Sequence, residues 1–359
     1  MNRTHGAAFA ALALALLLPA VSHAQWTLAS PDGKSSLKLG FLAQAQLEET
    51  KPVGADTYQQ NLFLRRFRVI GTGRTSERTS FFFETDMPNL GKGNASGAKT
   101  DNTMFLQDFY LTQRVCSHFQ ADVGMLLVPL SHNSTQSAAS LLAVDYGPYS
   151  FLNSTPTDSK VGRDYGVQGR AYLADHRLEV RGLVLQGNRG TDQRGPFRVV
   201  TRAVFYPLDR DSGMFYPGTM MGKKRMVAIG ASIDQQRDYQ TLGGDVFVDM
   251  PVAGGDGVTL QADLMQYDGA TTFPTLPKQN CILLEAGWYL HRFKVSPFLQ
   301  YVSRDYDSPA LHDETRLQGG LAWWLDGFKS NLKVGVARLS RDGSDDGTQF
   351  LAQWQVLAL

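Results

Sequence analysis

Alternation of apolar and polar residues is the dominant pattern along most of the chain. In 37–47 every odd position is apolar, whereas most even positions, such as Lys38 and Gln44, are polar. The segments 258–264 and 349–356 repeat the pattern. Successive side chains of a β-strand point to opposite faces, so each such segment predicts a strand with one apolar and one polar face. No helical period is found after residue 24.

Sixteen segments of this kind predict sixteen strands. Many of them reach the roughly 9–11 residues that a tilted strand needs to cross a membrane. The predicted strands are 35–48, 61–73, 79–88, 102–115, 118–128, 163–173, 177–186, 197–207, 223–234, 242–251, 257–268, 280–290, 294–305, 314–326, 329–340 and 346–358.

The joins between these strands alternate between short and long. The short joins include 115–118, 174–176 and 326–328, and the long ones include 49–60, 89–101, 129–162, 187–196 and 269–279. Short periplasmic turns and long external loops are typical of outer-membrane barrels. A soluble β-sandwich would also alternate, but its strands are usually only about 5–6 residues long. We therefore predict an all-β chain that forms a 16-stranded antiparallel transmembrane β-barrel. The join 208–222 is long although it falls on the predicted periplasmic end, and the sequence offers no reason for it.

The N-terminus predicts a cleaved signal peptide. Arg3 precedes an apolar run over 7–20, and Ser22 and Ala24 are small residues at the spacing that signal peptidases cut. The run is shorter than the roughly 20 residues of a membrane-spanning helix. We expect residues 1–24 to be removed and residues 25–359 to form the barrel in the bacterial outer membrane.

Charge and cysteine content narrow the possible functions. The chain has 35 Lys and Arg against 34 Asp and Glu, and Arg3 is the only charged residue before position 25. A balanced mature chain is a poor match for nucleic acid, which needs a basic surface. Cys116 and Cys281 fall at opposite ends of the predicted barrel, so a disulfide between them is not expected.

Five separated segments resemble the phosphate-selective porin O and P family over about residues 35–359. The matching segments are 63–68 (FLRRFR), 106–111 (LQDFYL), 123–131 (VGMLLVPLS), 163–168 (RDYGVQ) and 222–231. The resemblance implies a usually trimeric porin, with its third external loop folded into the pore and anions passing along lumen arginines and lysines. Its implied partners are small hydrophilic solutes or anions, membrane lipid, two further copies of the chain, and the barrel-assembly machinery.

The chain also departs from the family pattern. Leu130 replaces the family's Phe, and no Glu follows in 132–134. Barrel-assembly signals usually end in an aromatic residue, whereas Leu359 stands at this position. Selectivity for phosphate therefore does not follow from the resemblance.

The strand alternation assigns charged residues to the lumen face. The candidate pore-lining cations are Arg66, Arg68, Arg170, Arg198, Arg202, Lys294, Arg316 and Lys333. The candidate anions are Asp108 and Asp122, together with Glu84, Asp86, Asp263, Glu285 and Glu314. Arginine suits phosphate because its planar fork donates two parallel hydrogen bonds. An equally good interpretation is that many of these charges pair and hold the wall.

Arg66 and Arg68 are the strongest individual candidates. They lie two positions apart and so share one face of the strand. In the lipid midplane each would cost roughly 2–4 kcal/mol, which favours the lumen.

The longest predicted external loop is 129–162, which is rich in Ser, Thr and Asn. Loops of this length are usually functional or mobile. One hypothesis is that the loop folds inward as the pore constriction, with Asp145, Tyr146 and Tyr149 near the narrowest part. The alternative is an exposed, flexible loop.

The predicted function is passive diffusion of small hydrophilic solutes, with anions such as phosphate among them. The alternatives are a non-selective diffusion pore and a plugged barrel with a structural or adhesive role. An esterase built on His132 and Ser134 is disfavoured, since no third orienting group and no Gly-x-Ser-x-Gly element accompany them. The His and Cys residues lack metal-ligand spacing, and we expect neither a catalytic site nor a cofactor.

Overall fold

The computed structural model describes residues 26–94, 96–101 and 103–359. The predicted signal peptide 1–24 lies outside these residues. Seventeen strands of the described chain form one sheet.

The strands follow one another along the chain with few other elements. Their bounds are β1 Trp26–Ala29, β2 Ser36–Lys51, β3 Gln59–Arg74, β4 Thr79–Asp86, β5 Phe105–Cys116, β6 Phe119–Leu127, β7 Arg163–Leu173, β8 Leu178–Leu185, β9 Arg198–Phe205, β10 Met226–Gln236, β11 Tyr239–Pro251, β12 Gly257–Asp268, β13 Gln279–Tyr289, β14 Val295–Tyr306, β15 Glu314–Asp326, β16 Ser330–Arg341 and β17 Gly347–Ala358. A one-turn helix, α1, spans His132–Thr135, and a 3-10 turn spans Ala253–Gly255. In the part of the chain that the structure describes, no helix is long and apolar enough to cross a membrane.

Strands β2 to β17 close into a barrel. Each pairs antiparallel with its successor, and β17 pairs with β2 from Ala358↔Phe41 to Thr348↔Lys51. The prediction of a 16-stranded antiparallel barrel is thereby confirmed, and every predicted strand overlaps an observed one. The sequence pattern missed β1, a short strand that pairs with the beginning of β2.

The barrel is apolar outside and polar inside. In β12, Leu260 and Leu264 are 46% and 56% exposed, whereas Gln261 and Asp263 between them are 4% and 3% exposed. This distribution is the reverse of that in a soluble protein, where charged groups are almost never fully buried unless paired. An apolar outer band and a polar interior are what a barrel in lipid requires.

Two long connections enter the barrel from opposite ends. Residues 128–162, here called the long loop, connect β6 and β7, and the end from which they enter is called the upper end. Residues 206–225, here called the strap, connect β9 and β10 at the lower end. The strap contains the join 208–222 whose length the sequence left unexplained.

The two inserted segments meet inside the lumen. The amide of Ser137 donates to the carbonyl of Tyr216 at 2.9 Å, and the amide of Tyr216 donates to the carbonyl of Thr135 at 2.9 Å. From the opposite wall, Lys333 donates its Nζ to the carbonyls of Leu141 and Ala143 at 2.5 and 3.1 Å. The lumen is therefore crossed by a structure that is fixed to the wall.

Candidate pore constriction

An irregularity in β3 brings two consecutive arginines into the lumen. Arg66 pairs with Gln44, but the next pair is Leu64 with Ala45, so Arg65 is an extra residue in a β-bulge. A bulge of this kind re-aims a side chain relative to strict alternation. Arg65 and Arg66 therefore both reach the long loop. Arg65 was missed by the sequence analysis because alternation alone assigns it to the outer face.

Asp145 of the long loop lies between these two arginines. Its Oδ2 is 2.6 Å from Nε of Arg65, and its Oδ1 is 2.6 Å from Nη2 of Arg66. Burial acts to raise the pKa of Asp145, but the two guanidiniums outweigh it and hold that pKa well below its usual value. Asp145 is thus an ionised carboxylate that ties the long loop to β3.

Tyr146 borders two cavities in the lumen. Its hydroxyl donates to the carbonyl of Gln136 at 2.7 Å, and the Arg66 guanidinium carbon lies 5.3 Å from its ring centroid. On its upper side is a cavity of about 350 Å³, and on its lower side is one of about 140 Å³. Asp145 and Tyr146 both border the upper cavity, and their place at the narrowest part of the pore stays a prediction. Tyr149 lies elsewhere, since its hydroxyl donates to Glu314 at 3.1 Å.

The upper cavity has an excess of positive charge. Its charged lining consists of four cations and two carboxylates: Arg65, Arg66, Lys92, Arg316, Glu48 and Asp145. Lys92 pairs with Glu48 at 2.8 Å. Arg316 donates to two side-chain amide oxygens, of Gln300 at 3.0 Å and Gln349 at 3.3 Å. Among the described residues no carboxylate forms an ion pair with Arg316, so its charge is available to a solute.

The charges in the lower cavity are neutralised by neighbours. Arg68 pairs with Glu84 at 2.7 Å and with Asp86 at 3.1 Å. Arg163 pairs with Asp108 at 3.2 Å. The rest of the lining is mostly apolar and includes Leu42, Ile70, Phe82, Phe215 and Leu359. A solute that passed Tyr146 would leave a cationic chamber for a nearly neutral one.

Three further predicted cations face inward but do not border the open space. Arg170 pairs with Asp122 at 2.7 Å, Arg198 with Asp234 at 2.6 Å, and Arg202 with Asp245 at 2.7 Å. All three arginines are at most 4% exposed. Here the interpretation that paired charges hold the wall fits the structure better than a direct contact with solute.

Arg181 is a buried cation that the sequence analysis did not single out. It pairs with Glu179 at 2.5 Å and donates to the strap carbonyls of Met214 and Gly213 at 2.9 and 2.8 Å. Because it binds the backbone of a long connection, no local sequence signal identifies its role.

One predicted lumen cation is misplaced. Lys294 lies in the exposed turn between β13 and β14 and has a positive φ of 53°. Strand β14 begins one residue later, at Val295, so the alternation used to assign its side chain does not extend to Lys294. Lys333 does face inward, where it holds the long loop rather than an open path.

The predicted lumen acids also face inward and have partners. Asp263 accepts from the amide of Asn133 at 2.8 Å, and Glu285 accepts from Gln300 at 2.9 Å. Glu314 pairs with Arg341 at 2.6 Å. These carboxylates position the long loop and the upper rim of the barrel.

His132 and Ser134 are used in the packing of α1. The Ser134 hydroxyl accepts from the amide of Ser131 at 2.9 Å, in a capping box that begins the helix. The ring of His132 stacks on Phe247 at 4.0 Å, and its Nε2 is 2.9 Å from the carbonyl oxygen of Pro217. The arrangement joins the long loop to the strap.

Comparison with known proteins supports the fold. No family model matches the chain, and no curated protein sequence matches it. The structure is similar to the anion-selective porin from Comamonas acidovorans, with a TM-score of 0.57 and 13% identity over 90% of this chain and 100% of that one. It is also similar to OmpF from Salmonella typhi, solved with daunomycin, with a TM-score of 0.60 and 13% identity over 92% and 100%.

A third similar structure is OprB from Pseudomonas putida, with a TM-score of 0.63 and 9% identity over 89% of this chain and 94% of that one. The first of these three proteins is described as an anion-selective porin, and none of the three is described as selective for phosphate. The chain therefore has the 16-stranded barrel fold of outer-membrane porins.

Proposed function

We propose that this protein is an outer-membrane porin through which small hydrophilic solutes diffuse passively, with a preference for anions. The observation that carries the proposal is the cationic upper cavity, where Arg316 has no carboxylate partner among the described residues. An anion-selective porin among the structural neighbours agrees with it.

The physical reason is the field inside a narrow, low-dielectric cavity. Clefts lined by one sign of charge focus field lines and raise the local concentration of counter-ions. At physiological ionic strength the Debye length is about 8 Å, so charges at the cavity wall act strongly on an ion inside it and weakly on one outside. An excess of positive charge at the upper cavity therefore favours anions. Phosphate is one member of this class.

A plugged barrel is a second candidate, favoured by one observation. Tyr146, which borders both cavities, is held by a hydrogen bond from its hydroxyl to the carbonyl of Gln136. If this contact stays closed, the barrel passes no current and its role is structural or adhesive. The presence of current therefore decides between the two functions.

The test is reversal potential in a planar bilayer under a KCl gradient, repeated with added phosphate. We expect the purified protein to conduct with anion preference, and Arg316→Gln to reduce that preference. The matched control is Arg338→Gln, which removes the same charge from an arginine whose side chain is 70% exposed. Absence of current would favour the plugged barrel, and equal permeation of both ions would indicate general diffusion.

We also propose that the barrel assembles as a homotrimer. The structural neighbour OmpT of Vibrio cholerae, with a TM-score of 0.53, is described as a trimer form. We expect unheated samples to migrate on SDS gels at three times the mass of the chain, and heated samples at the mass of one chain. A single-chain mass in mild detergent by light scattering would contradict the trimer.

A further inference from the structure

The contacts of Asp145 are those of a bound oxoanion. Two guanidiniums, from Arg65 and Arg66, each donate to a different carboxylate oxygen at 2.6 Å. Arginine forks bind free carboxylates and phosphates with the same donor geometry. The position that a small anion would occupy beside β3 is therefore taken by a side chain of the protein itself.

We propose that Asp145 is the internal ligand of an anion-binding site formed by Arg65 and Arg66, and that it keeps phosphate and carboxylate solutes from being held there. This inference rests on the proposed function, since it explains how anions would pass the constriction without becoming trapped.

The site is accessible from the upper cavity. The Asp145 side chain is 22% exposed and that of Arg65 is 24% exposed, whereas the buried pair of Arg202 and Asp245 has no exposed area. All three residues of the site, Arg65, Arg66 and Asp145, line the upper cavity together with Arg316. A solute that entered from this side would meet the Arg65 guanidinium and the Asp145 carboxylate directly, whereas the Arg66 side chain behind them is 4% exposed.

The long loop supplies Asp145 at a high effective concentration. Gln300 of β14 donates to the Asp145 carbonyl at 3.4 Å, and the Oδ1 of Asp145 also accepts from the Tyr146 amide at 2.9 Å. A tethered group competes as if it were present at millimolar concentration or more. A free anion at lower concentration therefore displaces Asp145 only rarely.

The consequence for transport is weak solute binding. Conduction requires that an ion bind favourably enough to enter and weakly enough to leave. A pair of free guanidiniums would hold phosphate through charge-assisted hydrogen bonds and slow its exit. With Asp145 in place, the arginines contribute positive potential but not a deep binding site.

Glu48 provides the matched control for charge. It lines the same cavity but pairs with Lys92, at 2.8 and 3.0 Å, rather than with the arginine pair. Asp145→Asn and Glu48→Gln therefore remove the same charge from the same chamber. Only the first removes the ligand of Arg65 and Arg66.

The experiment is calorimetric titration of inorganic phosphate into the detergent-solubilised barrel. We expect Asp145→Asn to bind phosphate at least about tenfold more tightly than the wild type, because two charge-assisted hydrogen bonds become available. Glu48→Gln should bind as the wild type does. Adding Arg65→Gln to Asp145→Asn should remove the gain. Equal gains in Asp145→Asn and Glu48→Gln, or no gain in either, would overturn the proposal.

Two measurements keep this result interpretable. Asp145→Glu retains the charge and should show no gain in phosphate binding, and heat-modifiable gel mobility verifies that each variant is a folded barrel. Because binding is measured without current, a wild type that fails to conduct would refute the proposed porin while leaving the phosphate titration to decide on Asp145.

Discussion

The two halves of the lumen carry similar arginines in different surroundings. Along β7 and β9, Arg170, Arg198 and Arg202 are almost completely buried and bind acids that face the long loop or the strap. On β15, Arg316 is only partly buried, binds no carboxylate among the described residues and borders the upper cavity. An arginine on the lumen face is therefore not by itself a pore-lining residue. Its role depends on whether an inserted segment lies against it.

The energetic consequences differ in the same way. A buried ion pair offsets the desolvation of both charges only while both partners are present, so the loss of one leaves a costly unpaired charge. A partly exposed arginine keeps its contact with water, and its removal changes the local field more than the stability.

Replacement of residues 138–144 by three glycines should increase single-channel conductance several-fold. This stretch carries Leu141 and Ala143, whose carbonyls bind Lys333, and it fills the space beside β16. Its removal should widen the path in the half of the lumen that contains the upper cavity, here called the open half. The same conductance in the variant would show that the long loop does not limit the current.

Arg202→Ala should lower the free energy of unfolding by about 3–5 kcal/mol, because it leaves Asp245 buried and unpaired. The double variant Arg202→Ala with Asp245→Ala removes both charges and should lose less free energy of unfolding than Arg202→Ala alone. Arg316→Ala serves as the control in the open half and should cost much less than Arg202→Ala. Urea-induced unfolding of the barrel in lipid vesicles measures the free energy of unfolding of all three variants. Equal losses of this free energy in Arg202→Ala and Arg316→Ala would contradict the distinction between the two halves of the lumen.

Acid should loosen the contact between the long loop and the strap through His132. Burial lowers the pKa of His132 to about 4, from an ordinary value of about 6.5. Nearby Asp245 acts to raise this pKa, and nearby Arg202 to lower it. Below pH 6.5 the unfolded chain binds the proton and the folded one does not, so stability falls as the pH drops to 4, by about 3 kcal/mol in all.

The control for this pH dependence is His132→Phe, which retains a ring to stack on Phe247 and has no proton to bind. We expect its unfolding free energy to fall less between pH 7 and pH 4 than that of the wild type. Parallel pH profiles for the two proteins would rule out His132 as the titrating group.

Tyr146→Phe should have the smallest effect. It removes one hydrogen bond, to the Gln136 carbonyl, which contributes roughly 0.5–1.5 kcal/mol. We expect a modest rise in conductance with little change in ion preference, since the cationic lining remains. In a barrel plugged at Tyr146, the substitution would instead produce current where the wild type has none.

The strands could be predicted from the sequence because each carries its own alternating pattern. The same rule assigns Arg68 and Arg316 to the face that the structure turns inward, because both lie within regular stretches of strand. The alternation rule fails where the regular strand geometry ends. Arg65 sits in a bulge, and Lys294 lies just before a strand begins.

The inward course of the strap could not be predicted, since it depends on contacts distant in sequence. Tyr216 meets Thr135 and Ser137 of the long loop, and Arg181 binds the strap backbone. The partners of several lumen arginines are also distant in sequence: Asp145, which binds Arg66, is 79 positions away. Alternation assigns a side chain to a face, but it does not show what lies opposite.

The most direct test of the account is cysteine accessibility measured by current. In a background with Cys116→Ser and Cys281→Ser, Gln349→Cys would place a thiol in the upper cavity, and Gln168→Cys would place one against Asp122 and the strap. We predict that an anionic thiol reagent reduces the current and the anion preference of the Gln349 variant and leaves the Gln168 variant unchanged. Equal modification of both, or modification of Gln168→Cys alone, would contradict the assignment of the open path to the half of the lumen beside β2 and β3.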